Sequence, residues 1–299
     1  MPRSGRDLND DAGLGSPSLP QPRNDIELDL TSRPGSGAAK DHPREQAADG
    51  RIPTRARERE QPQSLDESEV KTLTDIGTFR ALAFEDLARH RYRGDHDETK
   101  KHLASLIRKG LVRSRTSYPE GVVYVTLTRA GHRLVTAKGE RSNPSQRLYY
   151  GFVKSREARH DAALYRLSQQ VVERVELMGG RVRRIILDFE LKQSINRRLA
   201  KLKSLPDAEG IHAKHQIAQE HGLTVVQGTI HLPDLRLEYE GPDQQLAKVD
   251  LELVTGHYSH RNLVAKAQAG FAMYAFAEDA ARLRPAMQDP EIMQEILSL

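Results

Sequence analysis

Between residues 70 and 135 the apolar side chains fall into a spacing that leaves little freedom of architecture. Val70, Leu73, Ile76 and Phe79 return every three positions, the period of a helix packed along one face. Phe84 to Arg89 fits a short second helix, and Asp95 with Glu98 three residues later has the capping-box spacing that starts a third. On this third helix Leu103, Leu106 and Ile107 face inward. Lys100, Lys101, Ser105 and Arg108 share the opposite face, and Gly110 provides the left-handed stop. Leu111 to Ser117 and Val122 to Thr128 then read as two strands about the turn Tyr118-Pro-Glu-Gly121, before residues 129–135 restart a helix.

Charge gives this pattern a direction. From Arg89 to Arg133 there are eleven Lys or Arg against four Asp or Glu, and none of the four lies between Lys100 and Arg115. Neutralising backbone phosphates releases counterions, so such a cluster suits a surface facing nucleic acid. Leu103-Ala-Ser-Leu-Ile-Arg-Lys-Gly-Leu-Val112 followed by Tyr124-Val-Thr-Leu-Thr-Arg-Ala-Gly131 resembles bacterial winged-helix regulators. The resemblance implies a winged helix-turn-helix over residues 66–140 that docks on double-stranded DNA. Lys100, Lys101, Ser105 and Arg108 would enter the major groove, with Arg113 and Arg115 of the wing on phosphate. A protein-contact surface is the alternative for the same fold.

The flanking composition is uneven. Residues 1–65 hold eight of the fifteen prolines and no Phe, Tyr or Trp, so this stretch has little apolar surface to offset chain entropy and is predicted to be a disordered arm. Its first residues lack the apolar core of a secretory leader, no later run is long enough to span a bilayer, and the expectation is a cytoplasmic protein without membrane contact. With no cysteine, disulfides and thiolate metal sites are excluded. Residues 141–205 carry fifteen basic side chains against six acidic, whereas residues 206–299 carry seven against fourteen. Arg181, Arg183, Arg184, Lys192, Arg197, Arg198, Lys201 and Lys203 either extend the DNA-facing surface or form a solvated, salt-bridged face.

Beyond a connector at residues 141–159, a second domain is expected over residues 160–299. Ala163, Leu164, Leu167, Val171, Val175 and Leu177 predict a long helix ending at Gly179-Gly180, followed by a strand from Val182 to Glu190 and a charged helical stretch to about Glu220. Two alternating runs come next, joined by Glu240-Gly-Pro-Asp243. Leu235, Leu237, Tyr239, Val249, Leu251 and Leu253 form their apolar faces, and pairing the two strands makes neighbours of Asp234, Asp250 and Glu252. A closing helix is predicted from Asn262 to Ala281, with Lys266 near its start.

Carboxylates on neighbouring strands with a lysine nearby are the groups a magnesium-dependent phosphodiesterase uses, since hard oxygen ligands hold the metal and the cations stabilise phosphate charge. Pro233-Asp234 and Asp250-Leu-Glu252 resemble the PD-(D/E)xK nuclease-like fold. His160-Asp161, Glu190, Pro233-Asp234, Leu251-Glu252, Lys266 and Tyr274 together resemble the replication-relaxation family of plasmids and mobile elements, over residues 70 to 280. The resemblance implies an α/β (α+β) chain in which a winged helix precedes a restriction-endonuclease-like domain. It implies Asp234, Asp250, Glu252 and Lys266 as catalytic candidates, and Asp234 with Glu252 as metal ligands. Val254 departs from that pattern by standing where the lysine of the (D/E)xK element belongs. Either the site is vestigial and needs no cofactor, or Lys266, Lys248 or the Asp250-Leu-Glu252 arrangement replaces that lysine and Mg2+ is required. His212-Ala-Lys-His215 and His257-Tyr-Ser-His260 lack further ligands at zinc spacing. The expected function is DNA binding in replication, mobilisation or transcriptional control, with a degenerate nuclease-like domain. The alternatives are a magnesium-dependent endonuclease and an adaptor to a relaxase or replication protein, and a homodimer fits each of these.

Overall fold

The computed structural model describes residues 65–139, 145–201, 207–287 and 297–298. The expected arm, apart from Leu65, and Lys203 lie outside the described residues. The chain is mixed α/β. Its first unit runs α1 (Glu67–Phe79), β1 (Leu82–Ala83), α2 (Phe84–Arg91), α3 (His96–Arg108), β2 (Val112–Thr116), β3 (Val123–Leu127) and α4 (Arg129–Gly139). β2 and β3 form the expected antiparallel hairpin, and β1 adds to the other edge of β3. Leu73, Ile76, Phe79, Leu103 and Leu106 are all buried, as the helical spacing requires. Asp95 caps α3 by accepting the Glu98 N–H at 2.8 Å. The reciprocal capping box forms on α1, where Asp66 and Glu69 each accept the other's backbone N–H.

Gly131 shows why this unit tolerates little change in the first turn of α4. A Cβ there would lie 2.0 Å from the Leu111 carbonyl oxygen, which already accepts the Thr128 N–H at 3.0 Å. Gly131→Ala must therefore push α4 away from the hairpin, and it is expected to cost about 1–3 kcal/mol. A denaturation midpoint equal to that of the wild type would show that the approach of α4 is not constrained here.

The second unit is built on α5 (Ser155–Leu177), β4 (Arg181–Leu187), α6 (Asp188–Leu199), α7 (Asp207–Glu220), β5 (Val225–Val226) and β6 (Thr229–Ile230). It continues through β7 (Leu235–Glu240), β8 (Leu246–Leu253), α8 (His260–Gln268), β9 (Ala272–Ala275), α9 (Ala277–Met287) and β10 (Leu297–Ser298). The five-stranded sheet has the order β10-β9-β8-β7-β4; β7 runs antiparallel to both of its neighbours, β4 and β8, whereas β9 joins β8 in parallel and β10 joins β9 in parallel. A parallel step needs a crossover, and α8 provides it.

Three expectations are corrected here. The first strand stops at Leu187, so Asp188 and Glu190 open α6 instead of closing β4, in the first turn where carboxylates favour the helix dipole. Leu177, assigned inward, is 82% exposed, because Gly179 at φ +77° ends α5 there. The helix expected from 262 to 281 is helix, strand and helix, since Gly270 at φ +83° terminates α8 and Lys266 therefore sits in its last turn.

The two units share one core. Tyr165 of α5 is fully buried against Phe79 of α1, edge to face with centroids 5.3 Å apart. One contiguous cluster of buried side chains runs from Leu73 and Leu103 through Tyr165 and Leu167 to Leu237 and Leu251. The segment expected as a connector is hydrogen-bonded to the first unit: Tyr149 N–H donates to Gly77 O at 2.7 Å and Gly151 N–H to Leu127 O at 3.0 Å. The Arg80 guanidinium, at the end of α1, makes two bonds of 2.8 and 2.6 Å to the buried Asp161 carboxylate of α5.

Candidate functional site

The site lies where β7 begins and β8 ends. Register sets it: Leu235 pairs with Leu251 and Leu187 with Leu235, so the residues next in line, Asp188, Asp234 and Glu252, come to the same end of three adjacent strands. The backbone ties the two strand carboxylates together. Asp234 Oδ2 accepts the Leu253 N–H at 2.9 Å, and Glu252 Oε2 accepts the Asp234 N–H at 3.3 Å.

Lys266 reaches in from α8. Its ammonium lies 2.6 Å from Glu252 Oε1 and donates to the Leu232 carbonyl at 2.8 Å. The Tyr258 hydroxyl donates to the same Glu252 oxygen at 2.7 Å. His160 of α5 approaches from the other side, with Nε2 3.7 Å from Asp234 Oδ1. Ser259 caps α8 by accepting the Asn262 N–H, which fixes the helix that carries Lys266.

Of the four sequence-expected catalytic candidates, Asp234, Glu252 and Lys266 come together and Asp250 does not. Asp250 shares the face of Glu252, but its partner across the strands is Arg236, which holds both carboxylate oxygens at 2.6 and 2.8 Å. Arg236 is itself buried and its remaining donors go to the His221 and Gly222 carbonyls. This pair is a structural element of the sheet. Sequence reasoning did not single out Tyr258 or Asp188. Tyr258 lies inside the noted His257-Tyr-Ser-His260 run, whose position between a strand and a helix was its signal.

Burial governs the electrostatics. Glu252 is 1% exposed, and desolvation reinforced by the neighbouring Asp234 charge pushes its carboxyl up to about 7 against the pull of Lys266. Desolvation likewise raises Asp234 to about 6, opposed by the Leu253 N–H and Lys266 and aided by Asp188. Tyr258 is raised as well, by its own burial and by Glu252. Two carboxylates that resist ionisation together in a dry site gain most from a divalent cation. Their hard oxygens fit Mg2+, which keeps water and phosphate oxygens in its other positions.

Among the described residues, three metal-ligating side chains come within metal-compatible spacing at Asp66, Glu69 and His102, and not at the Asp234–Glu252 pair. The atoms of this cluster already have tasks. Asp66 and Glu69 form the α1 capping box, Glu69 also takes the Lys109 ammonium, and His102 Nδ1 bonds the Tyr92 hydroxyl at 2.6 Å.

No protein-family model matches the chain, and no curated protein is detectably similar to it in sequence. The geometry therefore carries the functional argument alone. No helix among the described residues is long and apolar enough to cross a membrane.

The expected DNA-facing residues lie on the first unit. Lys100, Lys101 and Arg108 are exposed along α3, and Ser105 is half-buried between them. Arg113 projects from β2, while the Arg115 guanidinium lies 4.5 Å over the Phe152 ring. Three residues of the basic middle of the chain are paired: Arg183 with Glu240, Arg184 with Glu190 and Arg198 with Glu220. That favours the salt-bridged reading for these three arginines.

Proposed function

We propose that the chain is a DNA-binding, magnesium-dependent nuclease, in which residues 67–139 form a winged helix docked on duplex DNA and the second unit is a PD-(D/E)xK-like domain. The observation that carries this reading is the Lys266 ammonium 2.6 Å from Glu252, beside Asp234. It supplies from α8 the cation that Val254 cannot supply from β8. Asp234 and Glu252 would hold Mg2+, which when bound supplies Lewis-acid stabilisation of phosphate charge and a more acidic water. Lys266 adds a fixed positive charge at the same place, and His160 stands beside Asp234, its Nε2 3.7 Å from Asp234 Oδ1. With α6, α7, β5 and β6 inserted between β4 and β7, the order α5, β4, β7, β8, α8, β9, with Asp234 just before β7 and Glu252 on β8, supports the nuclease-like assignment. The sequence resemblance to replication-relaxation proteins supports a role on a plasmid or mobile element.

Docking through α3 is supported by Lys100, Lys101 and Arg113, which have no ion-pair partner among the described residues. Replacing Lys100, Lys101 and Arg108 together by Ala is expected to weaken duplex binding by roughly 100-fold or more at fixed salt, taking about 1–3 kcal/mol for each base-specific contact. Equal affinity of the variant and the wild type would remove α3 from the interface.

A second reading is a non-catalytic adaptor that contacts a relaxase or replication protein. Glu252 favours it, because Lys266, Tyr258 and the Asp234 N–H already occupy its oxygens.

A further inference from the structure

The sheet face that carries the carboxylates also carries two further cross-strand rows. Register places Ile186, Arg236 and Asp250 in the second row, and Arg184, Glu238 and Lys248 in the third. Lys248 is four residues from Glu252 on the same strand, so the third row is roughly 13 Å from the carboxylate site. There the sheet and α6 enclose an open cleft of about 530 Å³, closed at one side by the loop that follows α7.

We propose that this cleft is a phosphate-binding site, distinct from the Asp234–Glu252 centre, in which Arg184, Arg197 and Lys248 converge on one phosphate group. Three observations support it. The Arg184 Nε is buried without a hydrogen-bond partner, although its Nη2 is spent on Glu190. Arg197 projects from α6 and has no hydrogen-bond or ion-pair partner among the described residues. Lys248 donates to the Gly222 carbonyl, and both burial and the charge of Arg236 push its ammonium below the usual lysine range.

The carboxylates nearby cancel only part of this charge, because Arg184 is paired with Glu190 whereas Arg197 has no such partner among the described residues. Glu190 is held by Arg184 and the Tyr149 hydroxyl, Glu220 by Arg198 and Asp250 by Arg236, which leaves Glu238 facing Lys248. An unsatisfied buried guanidinium N–H costs free energy until an acceptor reaches it. A phosphate has enough oxygens to meet a planar guanidinium fork and an ammonium at once, whereas an apolar ligand would leave all of them desolvated and unpaired. Gln193 adds an amide at the rim.

The phosphate could belong to a free phosphorylated molecule or to the backbone of bound nucleic acid, and two titrations separate these sources. The full chain is compared with the Arg197→Gln/Lys248→Met double variant, first by calorimetric titration with pyrophosphate and then with duplex DNA over a series of salt concentrations. Both side chains are exposed, so a melting curve should show the core unchanged. If the ligand is a free molecule, pyrophosphate binds once per chain and the double variant loses about ten-fold in affinity while DNA binding holds. If it is a nucleic-acid backbone, DNA affinity falls about ten-fold and the salt slope falls by about two. Pyrophosphate binding that survives the double substitution together with unchanged DNA affinity, or no difference in either titration, overturns the proposal. The α3 variant described above moves DNA affinity independently, so failure of the winged-helix reading would be seen separately.

Discussion

Arg80→Ala is expected to remove about 3 kcal/mol of stability, the lower end of the cost of stripping one partner from a buried ion pair. Asp161 is 1% exposed and loses both charge-assisted bonds, and Phe189 loses the guanidinium 4.5 Å above its ring. For a folded body of this size the melting temperature should fall by roughly 6–12 °C. The electrostatic origin has its own signature. Burial already raises the Asp161 carboxyl to about 6 with Arg80 present, the arginine acting to lower it. The folded state thus binds more protons than the unfolded state from about pH 4 to pH 6, and stability from this group falls as pH rises through that window. Without Arg80 the window widens upward, so the loss should be larger at pH 8 than at pH 5. An equal loss at both would mean that packing alone, and not the buried charge, is what Arg80 supports.

The second large effect runs in the opposite direction. Glu252→Gln is expected to stabilise the metal-free protein at pH 8 by on the order of 2–3 kcal/mol, because the wild-type carboxyl, raised to about 7, must ionise in a dry site. Its folded value lies above the unfolded one, so wild-type stability falls between about pH 4.5 and pH 7 and the variant escapes that fall. The two proteins should converge below pH 4.5. Chemical denaturation in the presence of a chelator measures this directly. A variant less stable than wild type at pH 8 would show that the Lys266 pair outweighs desolvation.

The first unit was legible in the sequence because its signals are local: a helical period, an N-cap at Asp95, a glycine stop and a hairpin turn each act within a few residues. The site was legible in part for a different reason. Alternation along β7 and β8 put Asp234 and Glu252 on one face, and the register confirmed that they adjoin. The same alternation placed Asp250 with them, since periodicity cannot show that Arg236 lies directly across the ladder and takes it. The stretch 262–281 was misread because Ala272, Met273, Tyr274 and Ala275 form a short strand inside the sheet, and a short apolar run has no period that separates strand from helix. Gly270, at φ +83°, is the stop that divides this stretch. The shared core could not be seen at all, because Arg80 and Asp161 are eighty-one positions apart and nothing local links them.

Nicking of supercoiled plasmid by the full chain, with Mg2+ or Mn2+ against a chelator control, tests the functional account most directly. The account predicts open-circular product that requires metal and disappears in Asp234→Ala, Glu252→Ala and Lys266→Ala, while each variant still binds duplex DNA. Intact plasmid under every metal condition, or nicking that persists in all three variants, would contradict it.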